Sequence, residues 1–272
     1  MKRRQFIYYT QLSLLSAIAS TVIHPISSSQ AQNPNQLTIQ WLGHTCFYLT
    51  GGGLRVLVNP FQQVGCTAGY RNPKIDTELV LISSRLLDEG SVMGFVGNPA
   101  LLYEPGVYQF NGTQIQGIRT IKDRQQGNRF GLNVAWTWKQ AGIKILHLGG
   151  LASPIDIEEK ILIGRPDVML VPVGGGPKAY TPAEAKQAVD VLNPKIIIPT
   201  HYKTAAADEA NCDLVTVNPF LEIMSNQTIR QVETDTLVLT PDNLPDNESI
   251  IEVLSYPFSS STAAEETITS EI

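Results

Sequence analysis

Short apolar runs separated by turn residues fill most of the chain, the pattern of a domain rich in strands. Residues 37–41, 45–50 and 55–59 read as three short strands. Gly51-Gly52-Gly53 joins the last two, as a hairpin loop would. Leu79-Val80-Leu81-Ile82 is a continuous apolar run, expected of a strand buried on both faces. Further strands are predicted over 107–110, 113–120, 132–139 and 143–148. Two more of the buried type fall at 168–173 and 196–199.

The clearest helix lies between those last two strands. Thr181 can cap it, Pro182 suits its first turn, and Glu184 completes a Thr-x-x-Glu capping box. Ala185, Ala188, Val189 and Leu192 then fall on one face, and Asn193-Pro194 ends it. Strand, helix and strand in that order make an α/β crossover, whereas the earlier part reads as hairpins. The fold class expected is therefore α/β, with mixed sheets and helices outside. One domain is expected over 37–240. Beyond residue 241 there are seven acidic and no basic residues. Residues 250–256 could add a strand, and 258–272 are expected to form an acidic, partly disordered tail.

The first 31 residues have the order of a secretory signal. Lys2, Arg3 and Arg4 precede an apolar stretch over 12–23, and Ser29-x-Ala31 suits a cleavage site. Arg3-Arg4-Gln5-Phe6-Ile7 resembles a twin-arginine signal, so export to the periplasm or another extracytoplasmic compartment is expected. No apolar run reaches the length of a membrane span.

Composition narrows the partners. The 272 residues are 43% hydrophobic and 17% charged, with a formal net charge of -5. Removing Lys2, Arg3 and Arg4 from that -5 leaves -8 in the mature chain, which argues against nucleic acid or anionic membranes as partners. Cys46, Cys66 and Cys212 match no zinc-finger spacing. Two of them could pair after export, with Cys66 to Cys46 one such pairing, or they could serve as small core residues.

Three stretches carry a family resemblance. The first runs through Trp41-Leu42-Gly43-His44-Thr45-Cys46-Phe47 to Val58-Asn59-Pro60-Phe61. The second is Leu81-Ile82-Ser83-Ser84-Arg85-Leu86-Leu87-Asp88-Glu89. The third runs from His147-Leu148-Gly149-Gly150 through Gly174-Gly175-Gly176 to Pro199-Thr200-His201-Tyr202. Together they resemble the metallo-β-lactamase superfamily, in its branch of ascorbate-6-phosphate-lactonase-like hydrolases. The resemblance implies an αββα sandwich of two mixed sheets with helices outside. It also implies one or two metal ions at one edge, held by a His-x-His-x-Asp-His motif, a later His, a bridging Asp and a final His.

Against that pattern this sequence is depleted. Positions 84–89 read Ser84, Arg85, Leu86, Leu87, Asp88, Glu89, so only Asp88 matches. The later His corresponds to Lys122, the bridging Asp to Gly150, and the usual Asp-Pro to Asn59-Pro60. The final His matches as His201. Ser84, Leu86 and Lys122 offer no imidazole, so a tri-histidine zinc site is not expected. Asp88, Glu89 and His201 remain as metal-ligand candidates, expected to hold no ion. If they hold one, it would be a single divalent zinc, iron or manganese. Lys122 is expected to pair with Asp88 or Glu89 and stand in for the metal. Arg85, Lys122 and His147 are the candidates for an anion-binding cleft, with a small anionic molecule as partner. His44, in its Gly-His-Thr turn, is expected to be structural. The Gly174-Gly175-Gly176 run lacks the Lys-Ser/Thr ending of a phosphate loop and suits close backbone packing.

Two function classes follow. One is a degenerate hydrolase homologue that acts by binding. The other is an active hydrolase of an ester, lactone or phosphodiester with a reduced metal site.

Overall fold

The computed structural model describes residues 35–93 and 95–258. The leader expected over residues 1–31 and the tail beyond residue 258 lie outside the described residues. In chain order the strands begin with β1 (Leu37–Gly43), β2 (Cys46–Gly51), β3 (Leu54–Val58), β4 (Leu79–Leu81) and β5 (Ala100–Leu102). A meander follows of β6 (Gly106–Phe110), β7 (Thr113–Ile121), β8 (Leu132–Gln140) and β9 (Ile143–His147). Next come α1 (Ile157–Ile163), β10 (Val168–Pro172), α2 (Pro182–Leu192), β11 (Ile196–Thr200) and α3 (Asn218–Ile223). The last elements are β12 (Thr228–Val232), β13 (Thr236–Leu239) and β14 (Ile250–Leu254).

These strands form two mixed sheets with the helices outside, the α/β sandwich expected. One sheet has the order β13-β1-β2-β3-β4-β5 and the other β12-β14-β11-β10-β9-β8-β7-β6. The crossover read from the sequence is in place: β10 and β11 pair in parallel, from Val168↔Ile196 to Pro172↔Thr200. Thr181 caps α2 with the reciprocal Glu184 box, and Asn193 ends the helix in the left-handed conformation. The core lies between the sheets. Leu49, Val56 and Leu79 come from one of them and Trp136, Ile145 and Ile197 from the other, all fully buried.

The domain boundary drawn at residue 240 moves. β14 lies inside the second sheet, parallel to β11 (Ile196↔Ile250) and to β12 (Thr228↔Ile250), with all five residues buried. The fold therefore runs at least to Phe258, whose ring stacks on Tyr70 at 5.8 Å between centroids. Among the described residues no helix is long and apolar enough to cross a membrane.

Strand direction sets where the chemistry goes. β7, β9, β10 and β11 all run the same way in one sheet, because β8 is antiparallel to both β7 and β9. Their C-terminal ends share one edge of the sandwich. β3 and β4 run parallel in the other sheet, and the β1–β2 turn lies at the C-terminal end of β3. Val134 N donates to Ser83 O at 2.8 Å and His201 N to His44 O at 3.4 Å, joining the two sheets along this edge.

Candidate metal and anion site

The β1–β2 turn and the loops after β3, β4, β7, β9, β10 and β11 meet at this edge. Asn59, at the end of β3, accepts from Ser83 N at 2.8 Å and so anchors the loop after β4. That loop turns Glu89 inward: its carboxylate is fully buried and takes a 2.6 Å hydrogen bond from Lys122 Nζ. Lys122 follows β7 and is itself fully buried; its ammonium also donates to Gly150 O at 3.0 Å. A side chain at position 150 would meet both Glu89 Oε1 and Lys122 Nζ, so the ion pair would have to shift to admit one. Of the two carboxylates offered by the sequence, Lys122 takes Glu89.

Asp88 goes to a different lysine. Its Oδ2 is held by Lys178 Nζ, and the pair is mostly buried. Burial alone pushes the Asp88 carboxyl up. The Lys178 ammonium and His44 outweigh that and leave it below the ordinary carboxylate value. Lys178 is correspondingly raised, burial being outweighed by Glu89 and Asp88. Lys122 is lowered, because its full burial outweighs the attraction of Glu89.

Two histidines complete the cluster. His201 follows β11 with a left-handed backbone at φ 53, and His44 sits in the β1–β2 turn at φ 54. The His44 carbonyl accepts from Trp41 Nε1 at 3.1 Å as well as from His201 N, which pins the turn. The two imidazoles meet edge to face, with centroids 4.2 Å apart. His201 Nε2 lies 3.7 Å from Glu89 Oε1, and His44 Nε2 lies 4.0 Å from Asp88 Oδ2. Burial holds His44 down at about 4, against the opposing pull of Asp88. Burial, then the neighbouring His44, Lys178 and Lys122, hold His201 well below the ordinary value. Both rings are neutral at pH 7. Neither ring nitrogen of either histidine has a hydrogen-bond partner among the described residues, and neither does Glu89 Oε1.

The other expected site residues stand apart. Arg85 is not in the cleft: its side chain is 77% exposed, bonded to Glu104 at 2.8 Å and stacked over Tyr103. The loop after β4 turns Glu89 inward and Arg85 outward, so the two lie on opposite faces of one short segment. His147 is fully buried and both its nitrogens are used. Nδ1 accepts from Gly149 N at 3.0 Å, so the ring donates through Nε2 to Thr45 O at 2.9 Å. Burial lowers it to about 4, and it joins the β9 end to the β1–β2 turn. Cys66 pairs with Cys212 rather than with Cys46, which remains a buried thiol. Gly174 packs without a side chain against the His201 carbonyl, the close approach expected of the glycine run.

Above the cluster opens a cleft of about 680 Å³ lined by Leu86, Asp88, Arg129, Phe130, Lys178 and the Cys66–Cys212 bridge, among others. Asp123 shapes its rim by accepting four backbone N–H groups, from Gln125, Gly127, Arg129 and Phe130. The cations of the cleft are thus Arg129 and Lys178, whose roles the sequence reading missed. The one available cue was Lys178 standing next to the glycine run, in Gly176-Pro177-Lys178.

Two features reduce the donors available to metal at this edge. An ammonium stands on the carboxylate at position 89, and position 150 is glycine. One ion fits by donor chemistry, because His44, Glu89 and His201 each offer a ligand atom within 4.8 Å of the others. This trio replaces Asp88, Glu89 and His201 as the cluster that the structure brings together.

Known proteins agree with the fold. The β-lactamase superfamily domain matches residues 38–201. A crystal structure from Thermotoga maritima, described as a Zn-dependent hydrolase of the metallo-β-lactamase superfamily, is 30% identical. The match covers 80% of this chain and 98% of that one, with a TM-score of 0.64. A metal-dependent hydrolase from Methanopyrus kandleri is 27% identical over 62% of this chain and 85% of its own length. A metallo hydrolase from Ignicoccus hospitalis, 16% identical over 75% of this chain and 98% of its own, shares the fold at a TM-score of 0.52.

Proposed function

This chain belongs to the metallo-β-lactamase superfamily, and from that premise we propose that it binds a small anionic molecule instead of running two-ion hydrolysis. The chain is a homologue of metal-dependent hydrolases and has their fold. The observation that carries the binding role is the buried Lys122 ammonium on Glu89 and the Gly150 carbonyl. Two unit charges about 4 Å apart repel by about 4 kcal/mol at an effective dielectric of about 20, and a dication doubles that. A pair of ions beside Lys122 would meet this repulsion and find one carboxylate oxygen already taken.

The cleft above supplies what an anion needs. Arg129 lies over the Phe130 ring at 4.7 Å with no acidic partner within 4.0 Å among the described residues, and Lys178 stands at the wall. Apolar contacts from Leu86 and Phe130 would hold the rest of a small ligand. The Cys66–Cys212 bridge supports a place outside the cytoplasm, since such bonds persist in oxidising compartments.

A second reading, an active hydrolase of an ester, lactone or phosphodiester, is favoured by one observation: the unpartnered nitrogens of His44 and His201. A single divalent ion there would supply Lewis acidity toward a carbonyl or phosphoryl oxygen. Metal analysis of the exported, untagged protein, run beside a panel of lactones and phosphodiesters, separates the two. The binding reading expects at most one equivalent of metal and no turnover above the uncatalysed rate. Two equivalents, or turnover that chelation abolishes, would overturn it.

A further inference from the structure

We propose that His44, Glu89 and His201 form a one-ion site for a borderline transition metal, with His44 recruited as a ligand in place of the lost motif histidines. The proposal goes beyond the binding role and holds whether or not the cleft turns over a substrate.

The first support is the set of unpartnered atoms. His44 Nδ1 and Nε2, His201 Nδ1 and Nε2, and Glu89 Oε1 are all buried without a hydrogen bond among the described residues. Buried polar groups are almost always satisfied, and a cation would engage one atom on each of these three neighbouring side chains. One water could donate to Glu89 Oε1 and one imidazole and accept the N–H of the other, so water is the competing occupant that metal loading distinguishes. A cation accepts a lone pair from all three residues together.

The second support is how the three side chains are held. Lys122 ties Glu89 Oε2, which leaves Oε1 as the carboxylate atom beside His201 Nε2 at 3.7 Å. The backbone bond from His201 N to His44 O joins the loops that carry the two imidazoles. Glu89 thus has an ammonium fixing one oxygen and presents the other, the arrangement in which a neighbouring group orients a ligating carboxylate. Asp88, which the sequence offered as a ligand, is held by Lys178. Two imidazoles and one carboxylate suit zinc or iron better than calcium or magnesium.

Charge sets the strength. Lys122 and Lys178 already balance Glu89 and Asp88, so the ion's two positive charges enter a cluster with no net negative charge. The site is expected to bind more weakly than a two-ion centre and to empty on dialysis against a chelator.

The test loads the full mature chain with Zn²⁺ by equilibrium dialysis and counts metal and ligands. One equivalent is expected, with X-ray absorption at the zinc edge reporting two imidazoles. His44→Ala and His201→Ala should each weaken binding by at least about tenfold, as losing one of three ligands implies, while Asp88→Asn keeps one equivalent. The absorption measurement needs no variant, so the proposal stays open to refutation even where a substitution prevents folding. An imidazole count of one would mean that the ligands are Asp88, Glu89 and His201. That count, no bound zinc, two equivalents, or full binding by His44→Ala would each overturn the proposal.

Discussion

At the scale of single residues, Lys122 is the position on which the site turns. Its ammonium and the Glu89 carboxylate are both fully buried and 2.6 Å apart. Removing one partner of such a pair leaves a charge stranded in a low dielectric, which typically costs about 3–5 kcal/mol. Replacing both by neutral groups of similar volume removes the stranded charge. Lys122→Met should therefore destabilise by about that amount in urea unfolding, while Lys122→Met with Glu89→Gln recovers most of the loss. A single substitution that costs less than about 1 kcal/mol would mean the pair is not ionised in the fold. This pairing was half legible in the sequence. A lysine and a glutamate at positions where the family resemblance implies histidine point to charge exchange. Which carboxylate Lys122 would choose depends on how deeply the loop after β4 turns inward, and nothing local in Leu87-Asp88-Glu89 encodes that depth. The ligand role proposed for His44 has no local signal either. A histidine in a glycine-flanked turn looks structural until the end of β11 brings His201 to within 4.2 Å of it.

At the scale of elements, legibility followed burial. β4, β10 and β11 are buried on both faces and appear as unbroken apolar runs. α2 announces itself through its cap and its one apolar face. The elements that escaped notice share a physical cause. β5 is three half-buried residues, and β12, Thr228–Val232, has no fully buried side chain, so neither carries a periodic signal. α1 leaves Ile157, Ile161 and Leu162 exposed and buries Glu159 in its capping box, which reverses the pattern expected of a surface helix. β14 escaped the domain boundary because the acidic composition after residue 241 hid a run of five buried residues. Its removal is a direct test. Ile250, Ile251, Val253 and Leu254 are all at most 5% exposed. At about 1.5–3 kcal/mol each, their burial contributes an amount comparable to the whole stability of a typical domain. A chain ending at Thr240 should show no cooperative thermal transition, whereas one ending at Phe258 should unfold like the full chain. A folded product from the shorter chain would restore the boundary at residue 240.

At the scale of the whole molecule, the sandwich fold is shared with metal-dependent relatives, and the proposed change of function rests on a few side chains at the strand ends of one edge. If the scaffold is unchanged, the difference should be reversible. Ser84→His, Leu86→His, Glu89→His, Lys122→His and Gly150→Asp together rewrite the edge to the ligand pattern that the superfamily resemblance implies. The five changes must be made together. Gly150→Asp alone drives a side chain into Glu89 and Lys122, and Lys122→His alone leaves Glu89 beside a weaker partner. Made together, they remove the ion pair, and the ions themselves then balance Asp88 and the new aspartate. The rewritten protein should hold two equivalents of zinc, against at most one in the parent, and its melting temperature should rise with added zinc, since binding only to the folded state stabilises it. Metal analysis and thermal unfolding read both outcomes. If the rewritten chain folds and still holds no more zinc than the parent, the backbone of the edge has itself diverged. An exchange of metal charge for lysine charge would then fail as an account of this centre.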